Sequence, residues 1–189
     1  MPPKRSTPSG DNPDEIFDLI DVDDRVIGRV RRGDAHRNPS LLHRSVQVLV
    51  FSSNGRLLLQ HRSQSKDLFP DYYSASASGH VDSGEDYATA ASREASEELG
   101  VSLPLTFVSK TLVHSDMETE MTAVFLARSD GPFHFHPTET QGGEFFSLEQ
   151  VREARSTEKV PMTPALLAAL TELERFTQER PLVTLLAAL

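Results

Sequence analysis

The chain has 189 residues, a formal net charge of −9 and no cysteine. That acidic balance argues against a protein that coats nucleic acid through a basic surface. The missing cysteines remove disulfides, thiolate nucleophiles and Cys-ligated zinc together. The length suits one domain with extensions, and no run of about 18 apolar residues predicts a membrane span.

Residues 1–13 are rich in Pro, Ser, Gly and charge and read as a disordered tail. They lack the apolar core of a secretory signal, so a cytoplasmic location is the default expectation. Ile16–Ile20 and Val26–Val30 flank an Asp-rich turn and predict a hairpin, and Gly33–Ser40 reads as a loop. Val46–Phe51 is apolar but for Gln47, as a strand buried on both faces should be. Asn54-Gly55 then turns into Arg56–Gln60. Ser63–Tyr73 is a polar loop, and Ser74–Val81 is expected to be extended.

A helix is predicted from about Asp86 to Leu99, with Ala88, Ala91, Ala95 and Leu99 as its core stripe and Gly100 as its left-handed stop. Strands are expected at 105–114, 119–128 and 143–147, with a short helix at 148–155. Thr163 and Pro164 read as the N-cap and first residue of a helix reaching about Phe176. The apolar tail 181–189 should either pack as an extra element or meet a partner chain. Strands and helices mixed without strict alternation predict a single α/β domain over 14–180, a sandwich with a mixed sheet.

The chemistry concentrates in GHVDSGEDYATAASREASEELGV, residues 79–101. Glu94, Glu97 and Glu98 fall within little more than one helical turn, where like charges repel. Glu97 and Glu98 also lie at the negative end of the helix dipole. Such a face suits a hard cation such as Mg²⁺, which takes oxygen ligands and keeps several waters. The bland alternative is a solvated acidic face.

Read in full, the stretch resembles the Nudix signature, Gly-x5-Glu-x7-Arg-Glu-hydrophobic-x-Glu-Glu-x-Gly-hydrophobic. Gly79, Glu85, Arg93, Glu94, Glu97, Glu98 and Gly100 meet its fixed positions, and Ala95 and Val101 fill the apolar slots. The resemblance implies a Nudix-type α/β/α sandwich with a catalytic loop-helix-loop and a Mg²⁺- or Mn²⁺-dependent hydrolase of a small-molecule diphosphate. It implies Glu97 and Glu98 as metal ligands and Glu94 as a ligand or the base. It also implies Gly79 as a close backbone approach to the metal, Arg93 as the residue that holds the glutamates, and Glu85 as a structural partner. Glu118, Glu120, Glu139 and Glu144 are candidate bases from outside the signature.

Residues from about 15 to 150 are also similar to the Nudix branch that contains type I isopentenyl-diphosphate isomerase. His36, His43, His80, Glu118 and Glu120 match that enzyme's metal-site positions, which implies a second site suited to Zn²⁺ or Mn²⁺. Arg62 and Lys66 match positions that grip the substrate diphosphate. The chain departs at Ser78, where the isomerase carries a catalytic cysteine, and it keeps the full glutamate cluster that the isomerase does not. The expectation is therefore a hydrolase on an isomerase-like scaffold, with an isomerase-like enzyme or a non-catalytic ligand-binding domain as alternatives. Nucleotide and isoprenoid diphosphates both remain open as substrates, with Tyr72 and Tyr73 as candidate contacts and a monomer or homodimer as the assembly.

Overall fold

The computed structural model describes residues 12–158, 160–179 and 181–188. Residues 1–11 of the expected tail lie outside the described residues. Pro13 is already tied down, its carbonyl accepting the Gly33 N–H at 3.0 Å.

Strands β1 (Ile16–Ile20) and β2 (Val26–Arg31) form the expected antiparallel hairpin, which stays a separate two-stranded sheet. The expected loop after it begins with a single helical turn, α1 (Arg32–Ala35), that delivers His36. β3 (His43–Phe51) starts three residues earlier than its apolar run, because His43 through Ser45 continue the parallel ladder to β8. β4 (Leu57–Arg62), β5 (Tyr73–Ser74), β6 (Ala77–His80), β7 (Thr106–His114), β8 (Thr119–Arg128) and β9 (Thr140–Phe146) complete a seven-stranded sheet. Its main path runs β5-β4-β3-β8-β7, with β6 paired to β3 and β9 to β4. β3 and β8 are parallel and the other pairs antiparallel, so the sheet is mixed.

Helices cover both faces. Period-two alternation sends Val46, Val48 and Val50 of β3 toward Ala90, Ala91, Ala95 and Leu99 of α2 (Tyr87–Leu99). Leu49 and Phe51 face the other way, toward Leu166, Ala169, Leu170 and Leu173 of α4 (Pro164–Glu179). This is why the run 46–51 is apolar except at Gln47, which lines the cavity described below. α3 (Leu148–Thr157) opens on a capping box between Ser147 and Gln150. The Thr163 hydroxyl accepts the Leu166 N–H at 3.2 Å and caps α4. The apolar tail forms α5 (Leu182–Ala188), which buries Leu186 and packs Leu182 against the α4 side of the core.

Helix α2 differs from expectation in its rotation. Asp86 caps it through Thr89 N–H at 2.8 Å, and Gly100 ends it at φ 68°. The buried arc, however, contains Ala90, Glu94 and Glu98 beside Ala91, Ala95 and Leu99, whereas Ala88 is exposed. Two carboxylates can turn inward because polar partners wait for them there, as buried polar groups require.

Candidate active site

A cavity of about 540 Å³ opens where α2, the end of β6 and the start of β3 meet the loops after β4 and β8. Gly79, Glu94, Glu97 and Glu98 line it, and so do His36, His80, Glu118 and Glu120. The two residue sets singled out in the sequence therefore share one cleft.

The three signature glutamates are not equivalent. Glu94 and Glu98 are buried, while the Glu97 side chain is 53% exposed. The Glu98 carboxylate accepts from Gln60 Nε2 at 2.8 Å and from the Ser78 N–H at 3.1 Å, both on Oε2. Glu94 lies against Gly79 so closely that a Cβ there would overlap its carboxylate. Position 79 thus has to lack a side chain for Glu94 to sit where it does. Arg93 ties the region together. It bonds both carboxylate oxygens of Glu85 (3.1 and 2.9 Å), Glu94 Oε1 (2.6 Å) and the His80 carbonyl (2.9 Å), and it reaches Glu97 at 3.4 Å.

The histidines converge beside this. His43 opens β3, His80 closes β6, and His36 follows α1, so three separate elements supply them. Ligand atoms of His36, His43, His80 and Glu118 all lie within 4.8 Å of one another. His36 Nε2 is 3.3 Å from His80 Nε2 and 3.2 Å from Glu118 Oε2. Glu120 Oε1 is 3.3 Å from His80 Nε2 and 4.0 Å from His43 Nε2. The edges of a tetrahedron with ~2.1 Å bonds measure about 3.4 Å, so these spacings fit a metal centre. His43 Nε2 and Glu118 Oε2 are also buried without a hydrogen-bond partner among the described residues. Two inward-facing orphans are costly unless a cation meets them. The outer nitrogens are engaged, His43 Nδ1 with the Leu41 carbonyl at 3.0 Å and His36 Nδ1 with Asp67 at 3.3 Å, as ligating imidazoles require. Phe17 stacks on His43 and His80 and closes the back of the cluster.

The basic pair is placed in the cavity but is not idle. Arg62 spends Nε and Nη2 on the carbonyls of Phe69 and Leu68, and Lys66 pairs with Glu139 at 2.7 Å. Tyr72 and Tyr73 do not line the cavity, and Phe69 does. Tyr73 instead stacks on His61 and donates to Glu144, which places that glutamate outside the cleft as well. Gln60, Asp67 and Phe17 were missed by sequence reasoning. Gln60 alone left a trace, as the one polar residue ending the run Leu57–Leu59.

The NUDIX domain family model matches residues 41–166, about two thirds of the chain. The chain belongs to the Nudix family. It is 34% identical over 158 residues to an uncharacterized Nudix hydrolase of Pseudomonas aeruginosa, covering 82% of this chain and 91% of that protein. It is 32% identical over 159 residues to an isopentenyl-diphosphate Delta-isomerase of Nocardia farcinica, covering 81% and 91%. A crystal structure of a Deinococcus radiodurans protein superposes with a TM-score of 0.72 at 29% identity, covering 85% of this chain and 98% of that one. The expected α/β Nudix sandwich and the isopentenyl-diphosphate isomerase-like branch are both supported by these relatives. The chain is thus a Nudix enzyme of the hydrolase family, which acts on phosphorus-containing anhydrides.

In this Nudix cleft the charges are strongly perturbed. Burial pushes Glu94 up to about 7, against the opposing pull of Arg93. Burial and then the neighbouring Glu94 charge push Glu98 up to about 8. Burial acts to lower His80, but hydrogen bonds and charge from Glu118 and Glu120 outweigh it and raise it to about 9. Burial resists ionisation of Glu120, yet His80 brings it down to about 2.

These shifts predict the stability of the metal-free protein. A group whose folded pKa is raised stabilises the fold below its unfolded pKa, and that stability is lost as pH rises through the folded value. Glu94, Glu98 and His80 all lose it by pH 9, whereas the Glu120 shift acts only below its ordinary value. The melting temperature in EDTA should therefore fall between pH 7 and 9. Mn²⁺ should lessen the fall, because metal binds the deprotonated groups. A melting temperature in EDTA that is flat or rising over that range contradicts this account.

Proposed function

We propose that this Nudix protein is a divalent-metal-dependent hydrolase that cleaves a diphosphate bond in a small nucleoside-diphosphate-type or isoprenoid-diphosphate substrate. The supporting observation is the convergence of buried Glu94 and Glu98 with exposed Glu97 on one cavity beside Gly79. The donor set is all oxygen, as Mg²⁺ or Mn²⁺ prefers, so Glu94, Glu97, Glu98 and the Gly79 backbone would hold such an ion. Bound there, it supplies charge neutralisation and a water of lowered pKa. Imidazoles with carboxylates at His36, His43, His80, Glu118 and Glu120 suit Zn²⁺ or Mn²⁺.

The chain's own part is positioning and proton handling. Arg93 fixes Glu94 and Glu85, and Gln60 with the Ser78 N–H fixes Glu98. The oxygen of water forms a new bond to phosphorus while the bridging P–O bond breaks, its electron pair staying on the bridging oxygen of the departing phosphate group. A carboxylate lining the cavity, Glu94, Glu118, Glu120 or Glu139, accepts the water's proton, and that lining position favours these four over Glu144.

The test is release of phosphate or pyrophosphate from CDP, CTP, ADP-ribose, a dinucleoside polyphosphate and isopentenyl diphosphate, with Mg²⁺ and then Mn²⁺. Metal-dependent release is expected, and silence across the panel with metal bound contradicts the reading. A second reading is favoured by the complete His/Glu cluster: isomerase-like proton transfer at carbon, with Ser78 in the cysteine's place. A serine hydroxyl is a poor acid or base near neutral pH. Deuterium uptake from D₂O into isopentenyl diphosphate would establish that reading, and no uptake would exclude it.

A further inference from the structure

Strand β3 carries one residue that packing does not explain. Val46, Val48, Leu49, Val50 and Phe51 are fully buried in the two cores, and Gln47 sits among them at 5% exposure. Period-two alternation puts His43, Ser45, Gln47 and Leu49 on one face of the strand. Along that face the histidine cluster begins at His43 and the core beneath α4 at Leu49. Gln47 stands at the border and lines the cavity.

Its Oε1 is buried without a hydrogen-bond partner among the described residues. Gln60 shows what an amide committed to structure looks like in this protein. At 2% exposure, its Nε2 donates to the Ser76 carbonyl at 2.6 Å and to Glu98 at 2.8 Å. The next hydroxyl along the Gln47 face is engaged as well, Ser45 Oγ lying 2.8 Å from Thr122 Oγ1. A cation accounts for the similar orphans at His43 and Glu118, but Gln47 is not among those clustered ligands. An unmet buried amide lowers stability, so a residue of this kind in an apolar run calls for a partner that the fold does not supply.

The position suits a ligand. Gln47 pairs across the ladder with Ser78 of β6, and the Ser78 N–H donates to Glu98 at 3.1 Å. The amide is therefore one strand from a glutamate of the signature. A cavity of about 540 Å³ has room for an organic group beside a diphosphate. An amide both donates and accepts, so a hydroxyl or a ring nitrogen satisfies it, whereas a hydrocarbon chain seals it off unmet.

We propose that Gln47 is a specificity-determining residue whose side-chain amide hydrogen-bonds the organic group carried by the diphosphate, so that the cavity selects a sugar or nucleobase and rejects an isoprenoid chain. The inference rests on the diphosphate reading above and narrows it.

The experiment is calorimetric titration in Mg²⁺ buffer with uncleavable ligands, in which CH₂ replaces the oxygen between the two phosphorus atoms. They are the methylene analogues of ADP, CDP, UDP and isopentenyl diphosphate, with methylenediphosphonate reporting the phosphate end alone. The unaltered protein should bind at least one nucleoside analogue at least about tenfold tighter than the isopentenyl analogue. Gln47→Met, similar in size and without the amide, should lose about tenfold on that nucleoside analogue, keep its affinity for methylenediphosphonate, and melt no lower than the unaltered protein when empty. Equal losses on all three nucleosides assign the contact to the sugar, and a loss confined to one assigns it to the base. Either pattern supports the proposal.

An unaltered protein that binds the isopentenyl analogue as tightly as every nucleoside analogue overturns it, and that result does not depend on the variant folding. So does Gln47→Met with an unchanged preference, or with an equal loss on methylenediphosphonate, because the amide would then serve the phosphates or the metal. A clearly lower melting temperature of the empty variant also overturns it, since the amide would then be structural. The two ideas fail separately. No binding of methylenediphosphonate or any analogue sinks the diphosphate reading, whereas binding with an unchanged preference in Gln47→Met sinks only this proposal.

Discussion

Glu97→Gln should remove hydrolysis while leaving the fold intact. Glu97 is the exposed member of the glutamate cluster, and among the described residues its side chain is reached only by Arg93, at 3.4 Å. A surface change of this kind typically alters stability by no more than about 0.5 kcal/mol. Its carboxylate nevertheless faces the cavity, where the reaction accumulates charge, and losing one such electrostatic group costs on the order of 10²–10³ in kcat. The expected signature is therefore a split: an unchanged melting temperature and a collapsed rate of phosphate or pyrophosphate release. A Glu97→Gln protein with full activity would show that the cluster is an acidic surface and nothing more.

The second large effect is expected at a residue with no side chain. Gly79→Ala places a methyl group where the Glu94 carboxylate lies. The atoms it meets are the end of a flexible side chain, so the backbone need not move and the protein should fold. Glu94 must swing away, out of its 2.6 Å bond to Arg93. Misplacing a reacting group by about 1 Å can cost about 10²-fold in rate, and a loss of that size is expected in kcat. Because Glu94 is buried at a cost above pH 7, the melting temperature should fall little. Full kcat in Gly79→Ala would mean that the contact between Gly79 and Glu94 is incidental to the reaction.

Much of the fold could be read in the sequence because its signals are local. The largely apolar run 46–51, the Asp86 cap, the Gly100 stop and the Thr163-Pro164 start each rest on a few adjacent residues. Elements that depend on distant partners were less legible. His43–Ser45 carry no apolar pattern and are strand because β8 lies parallel beside them. Thr140–Gly142 join β9 because β4 offers a ladder, with a register shift at His61/Arg62.

The site divides the same way. The spacing of Glu94, Glu97 and Glu98 placed them on one stretch of helix, but not the rotation that buries two and exposes the third. That rotation depends on Gln60 and the Ser78 N–H, which come from the sheet. The five His and Glu positions were recognisable only by resemblance, since nothing in their spacing brings residues 36, 43, 80, 118 and 120 together. The same limit applies to Lys66: its sign was legible, whereas its partner Glu139 sits 73 residues away.

The most direct test of the account is hydrolysis in ¹⁸O-enriched water, with mass analysis of the phosphorus-containing products. With Mg²⁺ or Mn²⁺ the unaltered protein should place one ¹⁸O on phosphorus for each diphosphate bond cleaved. EDTA or the Glu97→Gln change should abolish both cleavage and label. Labelled product that forms equally well in EDTA or in Glu97→Gln would contradict a metal-dependent attack of water at the Nudix glutamates.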